Sequence, residues 1–237
     1  MARKVVVAMF DAVGGPAKAQ RAEDGLTAGP TDAGRYVVAS CGRHVSPTYP
    51  VWSSIRWGTP LKEIEGKIYV QSNNSRTGGR DGVRATGWRP LEEFTTATRE
   101  QILDYHEMLY GTRRVPDTWI FNDFGHATCY FFKDLNDNRV RDGKEKIHAE
   151  YIHTTPPDEA AMSLGLTVEL SESHGCVHVK PADIDTMIAK GYIKKGNLVF
   201  VHKYAASVPQ RPAGTGHAPY ELHFYPGPKK IVVLGAP

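Results

Sequence analysis

The sequence predicts a mainly β protein with a few helices, and three observations support this fold class. Glycine and proline are frequent, with 23 and 16 among 237 residues, a composition that favours many turns. Segments with a helical apolar period are few, whereas short apolar runs bounded by turn residues recur along the chain. The length accommodates one large domain, or one domain with a small extension.

The first half of the chain contains predicted strands and the clearest helix. The strands lie at residues 5–10, 36–40 and 67–71. Residues 12–34 are rich in glycine, alanine and charged residues and predict a loop or flexible arm. Between Phe94 and Leu109 apolar side chains recur at the spacing of a helix that packs against a sheet, and Gly111 supplies its stop.

The second half continues with strands and one short helix. Predicted strands lie at residues 119–121, 127–132 and 166–170. The short helix has Pro181 in its first turn and ends before Gly191. Residues 205–237 form a Pro- and Gly-rich C-terminal extension. Its apolar runs at residues 221–225 and 230–234 predict an edge hairpin, with a tether as the alternative.

The charge and the apolar pattern exclude two kinds of partner. A net charge of +3, spread along the chain, is too small to indicate nucleic-acid binding. No apolar segment is long enough to predict a transmembrane helix. The N-terminal apolar run is also shorter than the core of a secretory signal peptide, and no small-residue cleavage site follows it.

One of the three cysteines, Cys176, is the candidate nucleophile. It ends the run Ser-His-Gly-Cys at residues 173–176, close to the start of the predicted short helix. Unpaired N–H groups near a helix start favour negative charge, so the pKa of a cysteine there is expected to fall. Cys41 and Cys129 show no metal-binding spacing. We expect two separate buried thiols there, with a disulfide as the alternative.

A nucleophilic cysteine needs a base, usually a histidine that folding brings close. His153 lies at the end of an apolar run, before a loop with two prolines. This histidine, followed by Ser-His-Gly-Cys at residues 173–176, resembles the L,D-transpeptidase (YkuD-type) family of peptidoglycan enzymes, whose signature those four residues match. Residues 31–36 and 194–201 resemble the family's opening segment and closing strand. The resemblance extends over about residues 34–203.

The resemblance implies a fold and a domain arrangement. It implies a β-sandwich or barrel with one longer and one short helix. Residues 1–204 would form the catalytic domain, with its core at about 34–203 and residues 1–33 as an N-terminal strand and arm. Residues 205–237 would lie outside that domain.

The resemblance also implies acyl transfer on peptidoglycan stem peptides, without a cofactor or a metal. Cys176 would attack an amide carbonyl after His153 takes its proton, and the carbonyl of Thr154 would orient that histidine. The backbone N–H groups of His174, Gly175 and Cys176 would bind the oxyanion. The thioester would then react with an amine, a D-amino acid or water, which gives cross-linking, exchange or L,D-carboxypeptidation.

Two further residues are expected at the substrate. Ser173 and His178 are assigned to substrate binding, and His178 stands where the family usually has arginine or asparagine. The interval between His153 and His174 is a little longer than is usual in the family.

Three alternative interpretations remain open at this stage. The first is a cysteine amidase or peptidase without transferase activity, and the second is a catalytically silent wall-binding module. The third is a zinc site made by His153, His174, Cys176 and His178, because alternate residues share one face of a strand. Structural zinc sites usually use paired ligands at other spacings, which disfavours the zinc site.

A second metal candidate follows the strand at residues 127–132. Six residues fall at the ligand positions 1, 3, 5, 7, 9 and 12 of an EF-hand-like loop, where position 7 supplies its backbone carbonyl: Asp134, Asn136, Asn138, Val140, Asp142 and Glu145. Position 6 is Arg139 instead of glycine, position 8 is Arg141 instead of an aliphatic residue, and no amphipathic helices flank the loop. An ordinary solvated turn is therefore the expectation.

The site of action expected from the resemblance is the periplasm or the cell wall. Because the sequence shows no secretory signal, we expect export by another route, such as a contact-dependent secretion machine, unless a signal lies outside this sequence. An antibacterial effector with a secretion-machine or immunity partner is a further expectation.

Overall fold

A computed structural model describes residues 4–44, 53, 55–72 and 87–237. The chain divides into two compact units. Unit 1 comprises Met1–Gly42, Ala127–Thr154 and Val168–Pro237, and unit 2 comprises Arg43–His126 and Thr155–Thr167.

The described residues form short strands and three helices. The strands are β1 (Val5–Val13), β2 (Gln20–Arg21), β3 (Thr27–Ala28), β4 (Gly34–Arg43), β5 (Leu61–Ile64), β6 (Lys67–Ser72), β7 (Gly87–Pro90), β8 (Ala127–Phe132), β9 (Ile152–His153), β10 (Val177–Val179), β11 (Leu198–Val201), β12 (His217–Tyr225) and β13 (Lys230–Ala236). The helices are α1 (Arg99–Tyr110), α2 (Pro156–Ser163) and α3 (Pro181–Ala189), and a 3₁₀ turn spans Leu91–Glu93. The predicted mainly β fold class is confirmed.

Unit 1 is a closed barrel of eight strands in the order β1, β10, β9, β8, β4, β11, β12 and β13. Two neighbouring pairs are parallel, β9 with β10 and β11 with β12. A parallel pair requires a long crossover between its strands. The crossover from β9 to β10 carries the residues that precede Cys176.

The barrel encloses the main core of unit 1. Alternate strand residues point inward, including Val38, Ile152 and Val177, and all three are buried. Helix α3 adds Ile184 and Met187 to the same core, and both are completely buried. Pro181 occupies the first turn of this helix, and Gly191 follows its end with φ 67°, as the sequence predicts.

Unit 2 has its own core, in which helix α1 packs with the sheet of β5, β6 and β7. The helix begins at Arg99, later than the predicted start at Phe94, because Thr98 and Gln101 form a capping box. Gly111 ends it with φ 68°, as predicted. Helix α2 was not predicted, although Thr155 caps it and Pro156 stands in its first turn.

Two predicted strands are wrong. Residues 119–121 are irregular, and Trp119 and Phe121 fill the core of unit 2 as parts of a loop. The Trp119 indole N–H donates to Asn122 Oδ1 at 2.8 Å, which satisfies its one polar atom. Residues 166–170 are also irregular. Leu166 is 61% exposed, so the alternation there does not mark a buried sheet face.

The segments at the two ends of the chain are built into unit 1. Residues 12–34, predicted as a loop or flexible arm, contain the β2–β3 hairpin. Within residues 205–237, β12 and β13 are barrel strands, with β12 beside β11 and β13 beside β1. They therefore close the barrel instead of adding an edge hairpin or a tether.

The expectation of two separate thiols at Cys41 and Cys129 is also wrong, because the structure joins them in a disulfide. Cys129 lies on β8 and is completely buried, and Cys41 lies on β4, the neighbouring barrel strand. Neighbouring strands bring residues close that are 88 positions apart in sequence. The residue spacing alone could not show this pairing.

We predict that this disulfide stabilises the folded barrel. Closing a loop of 88 residues restricts the unfolded chain, and the loop-entropy model gives up to about 4.6 kcal/mol. The double variant Cys41→Ala, Cys129→Ala should therefore unfold at lower urea concentration. Dithiothreitol should lower the midpoint of the wild type and leave that of the variant unchanged. Equal midpoints for all samples would contradict this prediction.

Candidate active site

The turn that carries Cys176 requires glycine at the preceding position. Gly175 has φ 140°, in the region that side chains strongly disfavour. A Cβ atom there would also lie 3.0 Å from Oε1 of Glu150. Any other residue would therefore strain the backbone and push against a carboxylate. The Gly-Cys pair of the sequence motif thus has a geometric cause.

Ser173 stabilises the turn through two hydrogen bonds of its side-chain hydroxyl. Its hydroxyl accepts the Gly175 N–H at 2.9 Å and donates to the Cys176 carbonyl at 2.5 Å. The residue is 5% exposed. These two hydrogen bonds give Ser173 a structural role in the turn, and its assignment to substrate binding stays a prediction. The same contact engages the Gly175 N–H, which the sequence had assigned to the oxyanion.

Cys176 keeps its thiol and is partly exposed. The backbone N–H of Tyr151 donates to its Sγ at 3.4 Å, a contact that stabilises a thiolate more than a thiol. Burial, and in second place the negative charge of Cys176, raise the pKa of the Tyr151 phenol. The sulfur therefore lies beside an oriented N–H donor and a tyrosine.

The register of β9 and β10 places His153 on the same face as Cys176. Val177 lies opposite Ile152, and His178 lies opposite His153. Because side chains alternate along a strand, Cys176 shares a face with His178 and therefore with His153. The opposite face carries Val177 and Ile152 into the barrel core. The fold thus brings the two principal predicted residues to neighbouring positions.

His153 contacts the carbonyl of Thr154, the residue that the resemblance assigns to orienting this histidine. His153 Nδ1 lies 2.6 Å from this oxygen, and both residues are buried. A carbonyl oxygen only accepts hydrogen bonds, so Nδ1 must carry the hydrogen. Nε2 is then the basic nitrogen of the neutral ring. This tautomer is the one that a proton acceptor facing a thiol needs.

His178 contacts the neighbouring histidine instead of solvent. It is 8% exposed, and its ring packs edge-to-face on His153 with centroids 4.9 Å apart. Its Nδ1 lies 2.9 Å from the carbonyl oxygen of Ser171. Burial lowers the pKa of His178, so the ring is neutral at pH 7. These contacts place the His178 ring against His153, and the assignment of His178 to substrate binding stays a prediction.

His174 points away from the other histidines. Its side chain is 47% exposed, and its Nε2 lies 3.2 Å from Oδ2 of Asp24. With His174 turned to Asp24 and Nδ1 of His178 held by a carbonyl, the four predicted zinc ligands do not converge. Within the part of the chain that the structure describes, the zinc alternative lacks its ligand set.

Glu150, which the sequence analysis did not identify, packs against the turn at Gly175. Glu150 accepts the Asp32 N–H with Oε2 at 2.9 Å and Oε1 at 3.2 Å, and its Oε2 lies 3.3 Å from His148 Nε2. Burial raises the pKa of Glu150, although the hydrogen bond from Asp32 and the neighbouring His148 oppose the shift. No sequence motif marks this residue. It is found only because it fills the space left by Gly175.

The N-terminal loop packs directly against the turn. The Ser173 N–H donates to the Gly14 carbonyl at 3.1 Å, and the His174 carbonyl accepts the Gly29 N–H at 3.4 Å. A Cβ atom at Gly15 would lie 1.9 Å from the Gly29 carbonyl and 3.1 Å from the Gly175 nitrogen. The predicted arm is therefore part of the site, and glycine allows this close approach.

The fold and these contacts define a mainly β barrel that presents a histidine on β9 and a cysteine directly before the neighbouring parallel strand β10. A family model described as the L,D-transpeptidase catalytic domain (YkuD) matches residues 3–201, and the chain belongs to this family. No curated protein and no solved structure gives a significant match. By its family the protein is a cysteine-dependent, transpeptidase-type enzyme that modifies peptidoglycan. None of the helices in the described residues has the length and apolarity to cross a bilayer.

We predict that Ser173→Ala destabilises the turn. The Gly175 N–H would lose its acceptor in a buried position, which costs about 1–3 kcal/mol. Thermal and urea unfolding of the variant measure this loss. Ser171→Ala is the matched control, because Ser171 is exposed and only its carbonyl contacts His178. Equal stability of the two variants would show that the Ser173 hydroxyl does not support the turn.

We also predict that Glu150 makes stability fall as pH rises. Its folded-state pKa is raised, so the folded state binds the proton more tightly than the unfolded state does. Stability should decline as pH rises from the usual glutamate pKa through the folded value, and Glu150→Gln should flatten this decline. Melting temperatures between pH 4 and 8 provide the measurement. Glu169→Gln, an exposed control, should keep the wild-type slope.

Proposed function

We propose that the protein is an L,D-transpeptidase-type acyltransferase that acts on stem peptides, with Cys176 as nucleophile and His153 as base. The observation that carries this proposal is their common face on β9 and β10, with His153 held in one tautomer by the Thr154 carbonyl. The buried ring of His178 supports His153 from the opposite strand. These contacts fix the imidazole before substrate arrives.

In the first half-reaction His153 Nε2 takes the proton of Cys176, and the sulfur attacks the carbonyl at the L-centre of the third stem residue. The carbonyl oxygen becomes an oxyanion. Because the Gly175 N–H is engaged by Ser173, we assign the oxyanion contact to the backbone N–H groups of His174 and Cys176. The C–N bond then breaks, and His153 returns the proton to the amine of the departing D-alanine.

In the second half-reaction an acceptor attacks the thioester and gives its proton to His153, and the Cys176 sulfur leaves. An amine of a second stem gives a cross-link, a free D-amino acid gives exchange, and water gives L,D-carboxypeptidation. Exclusion of water from the acyl-enzyme determines which product dominates. The same residues serve all three outcomes.

Incubation with a disaccharide-tetrapeptide, followed by mass analysis, tests this proposal. The wild type should give dimer, or tripeptide with free D-alanine, through a thioester on Cys176. Cys176→Ala should form no thioester and keep its fold by circular dichroism. His153→Gln should lose on the order of 10²–10⁴-fold in rate. His217→Gln, which replaces an exposed histidine on β12, should keep full activity.

The products also separate the alternatives. Release of D-alanine by Cys176→Ala would overturn the assignment of the nucleophile. Cleavage of another amide bond by the wild type would indicate an amidase or a peptidase. Binding without any product would indicate a wall-binding module.

We also propose that the enzyme acts outside the cytoplasm as an antibacterial effector. The disulfide between Cys41 and Cys129 supports action in an oxidising compartment. Production directed to the periplasm of a target bacterium should alter its stem peptides and lyse the cells. Cytoplasmic production and periplasmic Cys176→Ala should both be harmless. Equal toxicity of the active enzyme and the alanine variant would contradict this role.

A further inference from the structure

The loop between β8 and β9 has features of a cation site outside the catalytic residues. It spans residues 134–145 in unit 1, and its two ends are held together. Phe132 and Ile147 form a β-bridge, and the His148 N–H donates to the Phe131 carbonyl at 2.8 Å. The loop therefore begins and ends at fixed points of the barrel.

At position 6 the backbone of the loop has the left-handed conformation that an EF-hand loop requires. Arg139 stands where EF-hand loops have glycine, yet it has φ 60°, the left-handed conformation that glycine usually supplies there. The Arg139 N–H donates to Asp134 Oδ2 at 3.0 Å. This bond turns the carboxylate of position 1 into the loop. Arginine thus adopts the required turn.

An independent observation points to a ligand. The second oxygen of the same carboxylate, Oδ1 of Asp134, is buried, and no described residue donates a hydrogen bond to it. A buried carboxylate oxygen without a donor is costly unless a cation compensates it. The carboxylates at positions 9 and 12, Asp142 and Glu145, already accept hydrogen bonds from within the loop.

We propose that this loop binds Ca²⁺. The ligands would be oxygens of Asp134, Asn136, Asn138, Val140, Asp142 and Glu145, the last two directly or through water. Three carboxylates with neutral amide and carbonyl oxygens form a hard, oxygen-only set that suits Ca²⁺. Mg²⁺ fits less well, because it requires near-ideal octahedral geometry. The affinity expected of such a site in an extracellular module is on the order of 10⁻⁴–10⁻³ M.

The position of the loop couples it to the catalytic segment. His148, Glu150 and His153 follow it within one short stretch of chain. Occupancy would restrain the segment that carries the proposed base. This consequence rests on the proposed function, whereas calcium binding itself does not.

Calorimetric titration of the full chain with CaCl₂, together with melting curves, tests the proposal. We expect one site per chain and a rise in Tm of a few degrees at 10 mM Ca²⁺, with a smaller rise for Mg²⁺. Asp134→Asn and Glu145→Gln should lose the calcium-dependent rise. Asp137→Asn should keep it, because Asp137 lies in the same loop at position 4, which supplies no ligand.

Three results would overturn the calcium site. The first is a wild type without heat of binding or a Tm shift. The second is a shift retained in both Asp134→Asn and Glu145→Gln. The third is a Tm shift that Glu150→Gln abolishes and that both loop variants retain. This result would place the ion at Asp32, His148 and Glu150, whose ligand atoms lie within 4.8 Å of one another. Because binding is measured without substrate, an inactive enzyme would leave this test intact.

Discussion

The parallel pairing of β9 with β10 is the constraint on which the site depends. In one register it sends Ile152 and Val177 into the barrel core and His153 and His178 to the other face. A slip of one residue would exchange those faces, moving the imidazoles into the apolar core and the aliphatic side chains out of it. The free energy of core burial therefore fixes the orientation of His153, the proposed base. Cys176 takes the same face because it lies two residues before His178.

The turn before β10 is held by polar contacts in place of apolar burial. The Ser173 hydroxyl connects Gly175 with the Cys176 carbonyl, and the Ser173 N–H is bound by the Gly14 carbonyl. Such contacts are directional, so they fix the position of the sulfur more closely than packing alone would. They also explain why the motif needs serine and glycine at those positions. The Cys176 side chain takes no part in these contacts within the turn and stays partly exposed.

Much of this could be predicted from the sequence, because it depends on local signals. Pro181, Gly111 and Gly191 mark helix boundaries by their backbone preferences, and the Ser-His-Gly-Cys motif marks the turn. The remainder depends on contacts between distant residues. Glu150 has a role only because folding brings it against Gly175, and the disulfide requires β4 and β8 to be neighbours. The apolar alternation at residues 166–170 predicted a strand wrongly, because such a pattern indicates a strand only when another element covers its apolar face.

The length of β9 shows why the surrounding contacts matter. A strand of two residues forms too few ladder hydrogen bonds to fix its own position, so His153 depends on the segments before and after it. On the preceding side, the disulfide fixes β8 at Cys129, and the 134–145 loop joins that strand to β9. Glu150 then ties the chain to the Asp32 N–H just before β9 begins. An ordered loop would shorten the flexible chain between these anchors. Less conformational entropy would then be lost when the His153 imidazole is held in place. Calcium in the loop and the disulfide on β8 would therefore both restrict the conformational freedom of the segment that carries His153, the proposed base.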